Sequence, residues 1–187
     1  MKEMYFVTRN KGKVKEVTQK LKPYDYNIIQ KNYGYPEIQA DTLKEVAIYG
    51  VKYLQNKKID YPFILEDAGL FIDQLNGFPG VYSSYVYFTI GLDGILKLMK
   101  SVPEEKRTAQ FQSVFAYATP NGESKLFIGT CNGKIKTEKR GNKGFGYDPI
   151  FEPMGYKKTF AEMNTETKNN ISHRAKSLEK LTSFLKS

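Results

Sequence analysis

Residues 63–70 read Phe63-Ile64-Leu65-Glu66-Asp67-Ala68-Gly69-Leu70, and the predicted fold is centred on them. The apolar run Phe63-Ile64-Leu65 predicts a buried strand, because short apolar runs bounded by turn residues are typical of such strands. We expect this strand to end at Glu66-Asp67, and a second short strand to run from Leu70 to Asp73. Two carboxylates are therefore expected at the end of a buried strand.

Strands and helices alternate on the N-terminal side of this segment. Met4 to Val7 and Tyr26 to Gln30 predict two strands. Apolar residues at helical spacing predict one helix after Asn10 and another that is capped by Asp41 or Thr42. This alternation is typical of an α/β fold.

The C-terminal side adds a hairpin. Residues 109–118 and 125–133 predict paired strands across the turn at 120–122, so we expect an α/β fold whose sheet is mixed and flanked by helices. Further elements are predicted as helices at 92–99 and at the C-terminal end and as a strand near 150–151.

Composition limits the class of protein. A chain of 187 residues predicts a single domain over 1–187, and 40% hydrophobic residues rule out intrinsic disorder. One cysteine, Cys131, excludes an internal disulfide framework and multi-cysteine metal sites, and we expect it in the core. The chain has neither the ~20-residue apolar run of a membrane helix nor a signal-peptide core. We therefore expect a soluble, cytoplasmic protein without a membrane partner.

The charge is uneven along the chain. The formal net charge is +9, and residues 1–60 and 134–187 each carry 12 basic residues, whereas residues 61–133 carry 5. Cationic ends suit nucleic-acid binding, an enzyme that acts on a small polyanion, or merely a basic surface. The sequence has no recognisable helix-turn-helix, zinc-finger or RNA-recognition motif, which weakens the nucleic-acid interpretation.

The segment 8–13, Thr8-Arg9-Asn10-Lys11-Gly12-Lys13, follows a predicted strand and opens a predicted helix. Unsatisfied N–H groups and the helix dipole favour an anion at such a position. The spacing differs from that of a P-loop. An ordinary asparagine cap flanked by solvated lysines is the alternative.

A second cluster is acidic. Glu66 and Asp67 follow the buried strand, and Glu37 lies in an earlier loop. Carboxylates beside a phosphate site suit Mg²⁺, which prefers oxygen ligands. Solvated acids at a strand end are the alternative.

Two segments near the C-terminus could contact a flat ligand. In 144–149, glycines flank aromatic residues, so the backbone can approach a ligand while a ring stacks on it, and Asp148 could accept hydrogen bonds from the backbone or from the ligand. In 168–174, Arg174 could donate to a base carbonyl and Lys168 could reach a phosphate. His173 is the only histidine, a residue type that is more often structural than catalytic when it stands alone.

Together these segments resemble the inosine/xanthosine triphosphate pyrophosphatase family, whose members hydrolyse non-standard purine nucleoside triphosphates. The resemblance runs from residue 8 to 174 and rests on Thr8-x-Asn10-x-x-Lys13, Glu66-Asp67-x-Gly69-Leu70, Gly77-Phe78-Pro79-Gly80-x-Tyr82-Ser83, Phe145-Gly146-Tyr147-Asp148-Pro149-x-Phe151, Thr159-Phe160-Ala161-Glu162-Met163 and Ser172-His173-Arg174.

The resemblance implies an elongated mixed twisted sheet flanked by helices, two lobes with a central cleft, and a homodimer without a stable nucleic-acid partner. It implies hydrolysis of ITP, dITP and XTP to the monophosphate and pyrophosphate. Asp67 would be the general base, and Glu37 and Asp67 would hold Mg²⁺. The implied substrate-binding residues are Thr8, Arg9, Asn10, Lys11, Gly12, Lys13, Ala68, Phe145, Gly146, Tyr147, Asp148, Lys168, His173 and Arg174.

Departures and alternatives remain. Many members have a serine where this chain has Ala68, so a contact there must come from the backbone, and many have a lysine at or near the position of Gly50. A non-catalytic nucleotide or nucleic-acid binding module is one alternative, although it has no use for Glu37 and Asp67. A pyrophosphatase for a modified pyrimidine nucleotide is another.

Overall fold

The computed structural model describes residues 1–36 and 38–186 of the chain. Within these ranges the strands are β1 (Lys2–Val7), β2 (Tyr26–Lys31), β3 (Phe63–Ile72), β4 (Pro79–Gly80), β5 (Thr108–Ala118), β6 (Ser124–Ile135) and β7 (Phe151–Pro153). The α-helices are α1 (Lys11–Leu21), α2 (Leu43–Gln55), α3 (Ser83–Thr89), α4 (Gly91–Leu98), α5 (Thr165–Ile171) and α6 (His173–Lys186).

The sheet is mixed, as the sequence predicts. Its strands are hydrogen-bonded in the order β2-β1-β3-β5-β6-β7, and β4 pairs with β3. Strand β1 is parallel to β2 and β3, whereas β3–β4 and β6–β7 are antiparallel pairs. The chain divides into two compact units, and β3, β5, β6 and α6 each contribute residues to both.

Unit 1 comprises Met1–Asp67, Ser113–Ile128 and Ser177–Ser187. Its core is formed by α1, α6 and the strands β1, β3, β5 and β6. The buried side chains of this core are Met4, Phe6, Val17, Leu21, Ile64, Phe115, Phe127, Leu178 and Leu181.

Side-chain caps fix where the two N-terminal helices of unit 1 begin. Asn10 caps α1 by accepting a hydrogen bond from the backbone N–H of Lys13. Thr42, rather than Asp41, caps α2, and its side chain and that of Glu45 form a reciprocal capping box.

Unit 2 comprises Ala68–Gln112 and Gly129–Lys176. Its core includes Ile95 and Met99 from the helix predicted at 92–99, and also Cys131. Burial raises the pKa of the Cys131 thiol, as expected for a core cysteine. No helix in the described part of the chain is both long enough and apolar enough to span a membrane.

The sequence prediction was wrong about a break in β3. The strand continues through Ala68-Gly69 because the glycine permits a close approach of β4 rather than a turn. A Cβ atom added to Gly69 would lie 2.3 Å from the carbonyl oxygen of Gly80. Glu66 and Asp67 are therefore interior residues of a continuous strand, not residues at its end.

Two helices, α3 and α5, are not predicted from the sequence. Helix α3 has the sequence SSYVYFT, which is rich in aromatic and β-branched residues, and it lacks a side-chain cap. Helix α5 does have a cap, Asn164, but its sequence TETKNNI carries no apolar stripe. Local preference is weak in both, so neither meets the criteria for a helix in the sequence.

Candidate active site

The segment 8–13 in unit 1 forms a capped helix start. The hydroxyl of Thr8 accepts a hydrogen bond from the backbone N–H of Asn10 at 3.1 Å, and the Asn10 side chain accepts one from Lys13 at 3.1 Å. Arg9 donates through Nε to the Asn32 side chain at 3.0 Å. Residues 9–12 are exposed, so this segment presents backbone N–H groups and two nearby cations to a ligand.

Lys13 reaches from α1 to the middle of β3. Its Nζ donates to the Glu66 carbonyl oxygen at 3.1 Å and also forms an ion pair with the Glu66 carboxylate. The Lys13 side chain is only 17% exposed, so the ammonium group is held close to the strand rather than extended into solvent. The lysine expected to bind phosphate is thus oriented by an acid on β3.

Glu66 belongs to a buried polar network. The hydroxyl of Ser113 on β5 donates to Glu66 Oε1 at 2.8 Å, and the hydroxyls of Ser113 and Ser177 lie 2.8 Å apart. The Glu66 side chain is fully buried. Burial of a carboxylate is costly unless it is paired and hydrogen-bonded, and Lys13 and Ser113 provide both kinds of contact.

Asp67 lies on the opposite face of β3 from Glu66, since consecutive residues of a strand alternate between faces. Ile64 shares the face of Glu66 and packs in the core with α1 and α6, whereas Leu65 shares the face of Asp67 and lies near Gly50 of α2. Asp67 is half-buried, and its Oδ2 accepts a hydrogen bond from the Tyr35 hydroxyl at 3.0 Å. The two adjacent acids therefore have separate environments.

The other predicted metal ligand, Glu37, lies outside the described residues. Among residues 1–36 and 38–186, no group of three or more His, Cys, Asp or Glu side chains is arranged to hold a metal ion.

The two positions at which the sequence departs from the family pattern lie in β3 and α2. Ala68 follows Asp67 in β3 and is half-buried. Gly50 is a buried residue of α2.

In unit 2, Phe145 presents an exposed ring that two cations contact. The ring is 47% exposed. The guanidinium of Arg174 lies 5.2 Å from the ring centroid and the ammonium of Lys168 lies 4.8 Å from it. Arg174 itself is buried. The predicted stacking residue and two predicted polar ligands are therefore brought together in this unit.

Asp148 organises the loop that carries Phe145. Its Oδ2 accepts a hydrogen bond from the Phe145 backbone N–H at 2.8 Å and forms an ion pair with Lys168. Gly144 has a φ of +75°, and a Cβ atom there would lie 2.0 Å from Asp148 Oδ2. Only glycine fits this position without a clash. The hydrogen bond from the Phe145 backbone N–H shows that Asp148 contacts the backbone, one of the two roles that the sequence allows for it.

Two further predicted site residues are buried in unit 2. Tyr147 donates its hydroxyl to the Ser83 carbonyl oxygen at 2.8 Å, and burial raises its pKa. The ring of His173 is stacked on Phe111, with ring centroids 4.6 Å apart and an interplanar angle of 10°. His173 is the first residue of α6, as the sequence predicts for a helix start, and Gly146 is half-buried.

Sequence reasoning missed Tyr35, which contacts this site, and it did not separate the role of Glu66 from that of Asp67. Tyr35 lies 32 positions before Asp67, and no motif joins them. Glu66 belongs to a recognised motif, but only strand alternation, applied to an unbroken β3, separates its role from that of Asp67. The structure thus places an exposed, capped helix start and the Asp67 carboxylate in unit 1, and an aromatic ring with two cations in unit 2.

Comparisons with known proteins show which family the chain belongs to. Residues 4–184 match the model of the Ham1 family. The dITP/XTP pyrophosphatase of Thermococcus kodakarensis is 54% identical over 97% of this chain and 96% of its own length. The protein of the same name from Pyrococcus horikoshii is 50% identical over 98% of this chain and 97% of its own length.

Solved structures are similar over nearly the whole chain. The Ham1 protein of Staphylococcus aureus has a TM-score of 0.87 and 31% identity, covering 99% of this chain and 98% of that chain. A HAM1 protein from Coxiella burnetii has a TM-score of 0.86 and 29% identity, covering 100% of this chain and 99% of that chain. The fold is a mixed α/β fold, and the candidate site residues form one group in unit 1 and another in unit 2. The chain belongs to the Ham1 family.

Proposed function

We propose that this protein hydrolyses dITP, XTP and ITP to the nucleoside monophosphate and pyrophosphate, and so removes deaminated purines from the nucleotide pool. The observation that carries the proposal is in unit 1, where a helix-start anion site and the half-buried carboxylate of Asp67 are connected through Lys13 and β3. The two curated relatives named above are dITP/XTP pyrophosphatases, which supports this substrate class.

Residues of unit 1 bind the triphosphate in this proposal. Thr8, Asn10 and the first backbone N–H groups of α1 contact phosphate oxygens, and Lys13 contributes positive charge. Lys168, a residue of unit 2, is proposed as a further phosphate ligand. The ion pair with Glu66 supports the role of Lys13, because a side chain held at one position loses less conformational entropy when phosphate binds.

Asp67 and Glu37 hold Mg²⁺ in the same proposal. The donor set fits, because Asp67 supplies carboxylate oxygens from a half-buried position and Mg²⁺ prefers such oxygen ligands. When bound, the ion supplies positive charge that neutralises phosphate oxygens.

Asp67 is also the general base. Its carboxylate accepts a proton from a water molecule while the water oxygen forms a bond to the α-phosphorus. The bond between the α-phosphorus and the oxygen bridging to the β-phosphate breaks, and pyrophosphate leaves with that oxygen. The position of Asp67 within a hydrogen-bonded strand supports this role, because rigid elements hold catalytic groups more precisely than loops do.

Residues of unit 2 recognise the base. Phe145 stacks on the purine, Asp148 and Tyr147 hold the loop, and His173 and Arg174 contact the base edge. Hypoxanthine and xanthine present a 6-oxo acceptor to Arg174, whereas adenine presents an amino donor. Two donors that face each other in a buried site leave both unsatisfied, so adenine is rejected.

We further propose that the protein acts in the cytoplasm as a homodimer. Exposed aromatic residues on α3 support self-association, since Tyr85 is 71% and Phe88 80% exposed, and large apolar side chains at the surface favour interfaces. Sedimentation equilibrium checks this, because a homodimer has twice the 21.5 kDa mass of the chain.

The experiment that tests the proposed reaction is a screen of product release. Purified protein is incubated with dITP, ITP, XTP and the common nucleoside triphosphates, with and without Mg²⁺, and pyrophosphate and inorganic phosphate are measured separately. We expect Mg²⁺-dependent release of pyrophosphate from the three deaminated nucleotides. Asp67→Asn, which keeps the shape of the side chain, is expected to lower kcat at least about 100-fold.

Three results would contradict the proposal. Release of inorganic phosphate in place of pyrophosphate would exclude attack at the α-phosphorus. Equal turnover of ATP would exclude base selection by Arg174. A wild-type rate in Asp67→Asn would exclude that residue as the base.

A further inference from the structure

We propose that Tyr35 is a positioning residue that orients the Asp67 carboxylate for the reaction. This inference rests on the proposed function, because it assumes that Asp67 is the general base. The contact that supports it is the hydrogen bond from the Tyr35 hydroxyl to Asp67 Oδ2, at 3.0 Å. The tyrosine is half-buried and lies in the segment between β2 and α2.

Gly50 of α2 supplies the space for the Tyr35 ring. A Cβ atom added to Gly50 would lie 3.0 Å from Cε2 of Tyr35, 3.1 Å from its Cδ2 and 3.0 Å from Cδ2 of Leu65. Such distances are shorter than normal packing contacts, so any larger residue would force the ring or Leu65 to move. The ring therefore packs directly on the helix backbone, with its hydroxyl on the acid.

The hydrogen bond restrains the orientation of Asp67. A carboxylate rotates readily about its Cβ–Cγ bond, because that torsion has broad minima. A donor fixed on Oδ2 restricts this rotation and thereby limits the directions in which Oδ1 can point. Reacting groups must be aligned before reaction, so the loss of this restraint lowers the rate of the chemical step more than it affects substrate binding.

The phenol suits this task because it is a rigid donor. Tyr35 has few rotatable bonds, and its ring is packed on Gly50 and near the side chain of Leu65. A lysine or arginine at the same distance would add a charge beside Asp67 and stabilise its ionised form strongly. A neutral hydroxyl orients the carboxylate without that additional charge.

Tyr35→Phe is the direct test, because it removes only the hydroxyl. With dITP and saturating Mg²⁺, we expect kcat to fall about tenfold or more, the loss expected for one hydrogen bond to a charged group. KM should stay within about twofold of the wild-type value, because the phosphate and base contacts are unchanged. Tyr49→Phe is the matched control, since Tyr49 is an exposed tyrosine of α2 in the same unit, and it should leave both constants unchanged.

A second readout needs neither nucleotide nor metal. In protein labelled with ¹³C at the aspartate Cγ, the Asp67 signal is assigned by its loss in Asp67→Asn. Tyr35→Phe should shift this signal and leave the other aspartate signals in place, whereas Tyr49→Phe should shift none. A tyrosine that only stabilised the fold would not move the Asp67 signal alone.

Gly50→Ala provides an independent variant in case Tyr35→Phe folds poorly. It keeps the hydroxyl but displaces the ring, so it should shift the same Asp67 signal and lower kcat with little change in KM. Thermal unfolding of each variant identifies losses of stability.

The outcomes separate this inference from the proposed function. If the wild-type protein releases no pyrophosphate from any deaminated nucleotide, the proposed function fails. If the wild-type protein is active and Tyr35→Phe keeps its kcat, or loses efficiency only through KM, the inference about Tyr35 is overturned while the proposed function stands. An unshifted Asp67 signal in both Tyr35→Phe and Gly50→Ala overturns it as well.

Discussion

In the proposed function, one residue recognises the base and another recognises the phosphates. Arg174 is buried against the Phe145 ring in unit 2, whereas Lys13 is held by Glu66 in unit 1. Both are cations, and net charge alone would give them the same effect on a nucleotide. The proposed roles differ, because only a contact with the base edge carries information about which nucleotide is bound.

Arg174→Ala should therefore reduce the preference of the protein for dITP over ATP. Loss of a charge-assisted hydrogen bond to the 6-oxo group is expected to lower kcat/KM for dITP by about 10- to 150-fold and to change the poor turnover of ATP little. Lys13→Ala should lower kcat/KM for dITP and for ATP by a similar factor, because a phosphate contact is the same in both nucleotides. Steady-state kinetics with both substrates measure this difference.

Arg140→Ala is the matched control for Arg174→Ala. Arg140 is an exposed arginine of unit 2 whose guanidinium is paired with Glu138, so its loss should affect neither substrate. Equal losses for dITP and ATP in Arg174→Ala would make Arg174 a phosphate ligand and would refute the proposed base selection.

Much of the site was predictable residue by residue, because its motifs act locally. The Asn10 cap and the contact of Asp148 with the backbone involve partners three positions away, which the sequence displays directly. The contacts of Asp67 with Tyr35 and of Glu66 with Ser113 join positions 32 and 47 residues apart. Such pairs depend on how strands and helices pack, and periodicity contains no information about that packing.

At the level of elements, strong caps and apolar stripes were recognised, and weak helices were not. Helices α1 and α2 were predicted because a capping residue precedes an apolar stripe. Helices α3 and α5 are stabilised by tertiary context, which a local pattern does not contain. The same limitation explains β3, since its continuity depends on the approach of β4 to Gly69.

The α2 cap offers a stability test at this level. Thr42→Ala removes the hydroxyl that accepts a hydrogen bond from the Glu45 backbone N–H, and the free energy of unfolding should fall by about 1 kcal/mol. Asp41→Ala is the control, because Asp41 is the exposed neighbour that does not cap the helix. Urea denaturation of the three proteins measures the difference, and an equal loss in both variants would contradict the assignment of the cap.

The same cap gives the stability a dependence on pH. Hydrogen bonds from Thr42 lower the pKa of Glu45 below its ordinary value. A carboxyl group whose pKa is lowered by folding contributes stability above its unfolded pKa and loses that contribution as the pH falls through the folded value. The difference between wild-type protein and Thr42→Ala should therefore shrink as the pH is lowered through this acidic range.

Over the whole molecule, the excess of positive charge is also typical of nucleic-acid binding proteins. The chain carries 29 basic and 20 acidic residues. Part of this charge is already paired within unit 2, where Lys134 and Lys136 both contact Glu104 and Glu152. A protein that acts on small polyanions gains from the remaining positive charge through faster encounter with its substrate.

We expect only weak, salt-sensitive binding to duplex DNA. Non-specific association has dissociation constants of about 10⁻⁴–10⁻⁶ M at physiological salt and weakens steeply as salt increases. Fluorescence anisotropy with a labelled duplex at several salt concentrations measures this dependence. Tight binding that persists at high salt would favour the alternative of a nucleic-acid binding module.

The continuity of β3 constrains which mutations the gene can accept. Glu66 and Asp67 occupy opposite faces of one strand, with Lys13 and Ser113 on one side and Tyr35 on the other. Deleting one codon between Phe63 and Glu66 would shift the register and exchange the two carboxylates, because side chains alternate with a period of two. Glu66 would then face Tyr35, and Asp67 would be buried on the side of Lys13 and Ser113. A point substitution in this strand affects one face, whereas a change in its length alters both faces at once. Insertions and deletions should therefore be tolerated in the loops but not in β3.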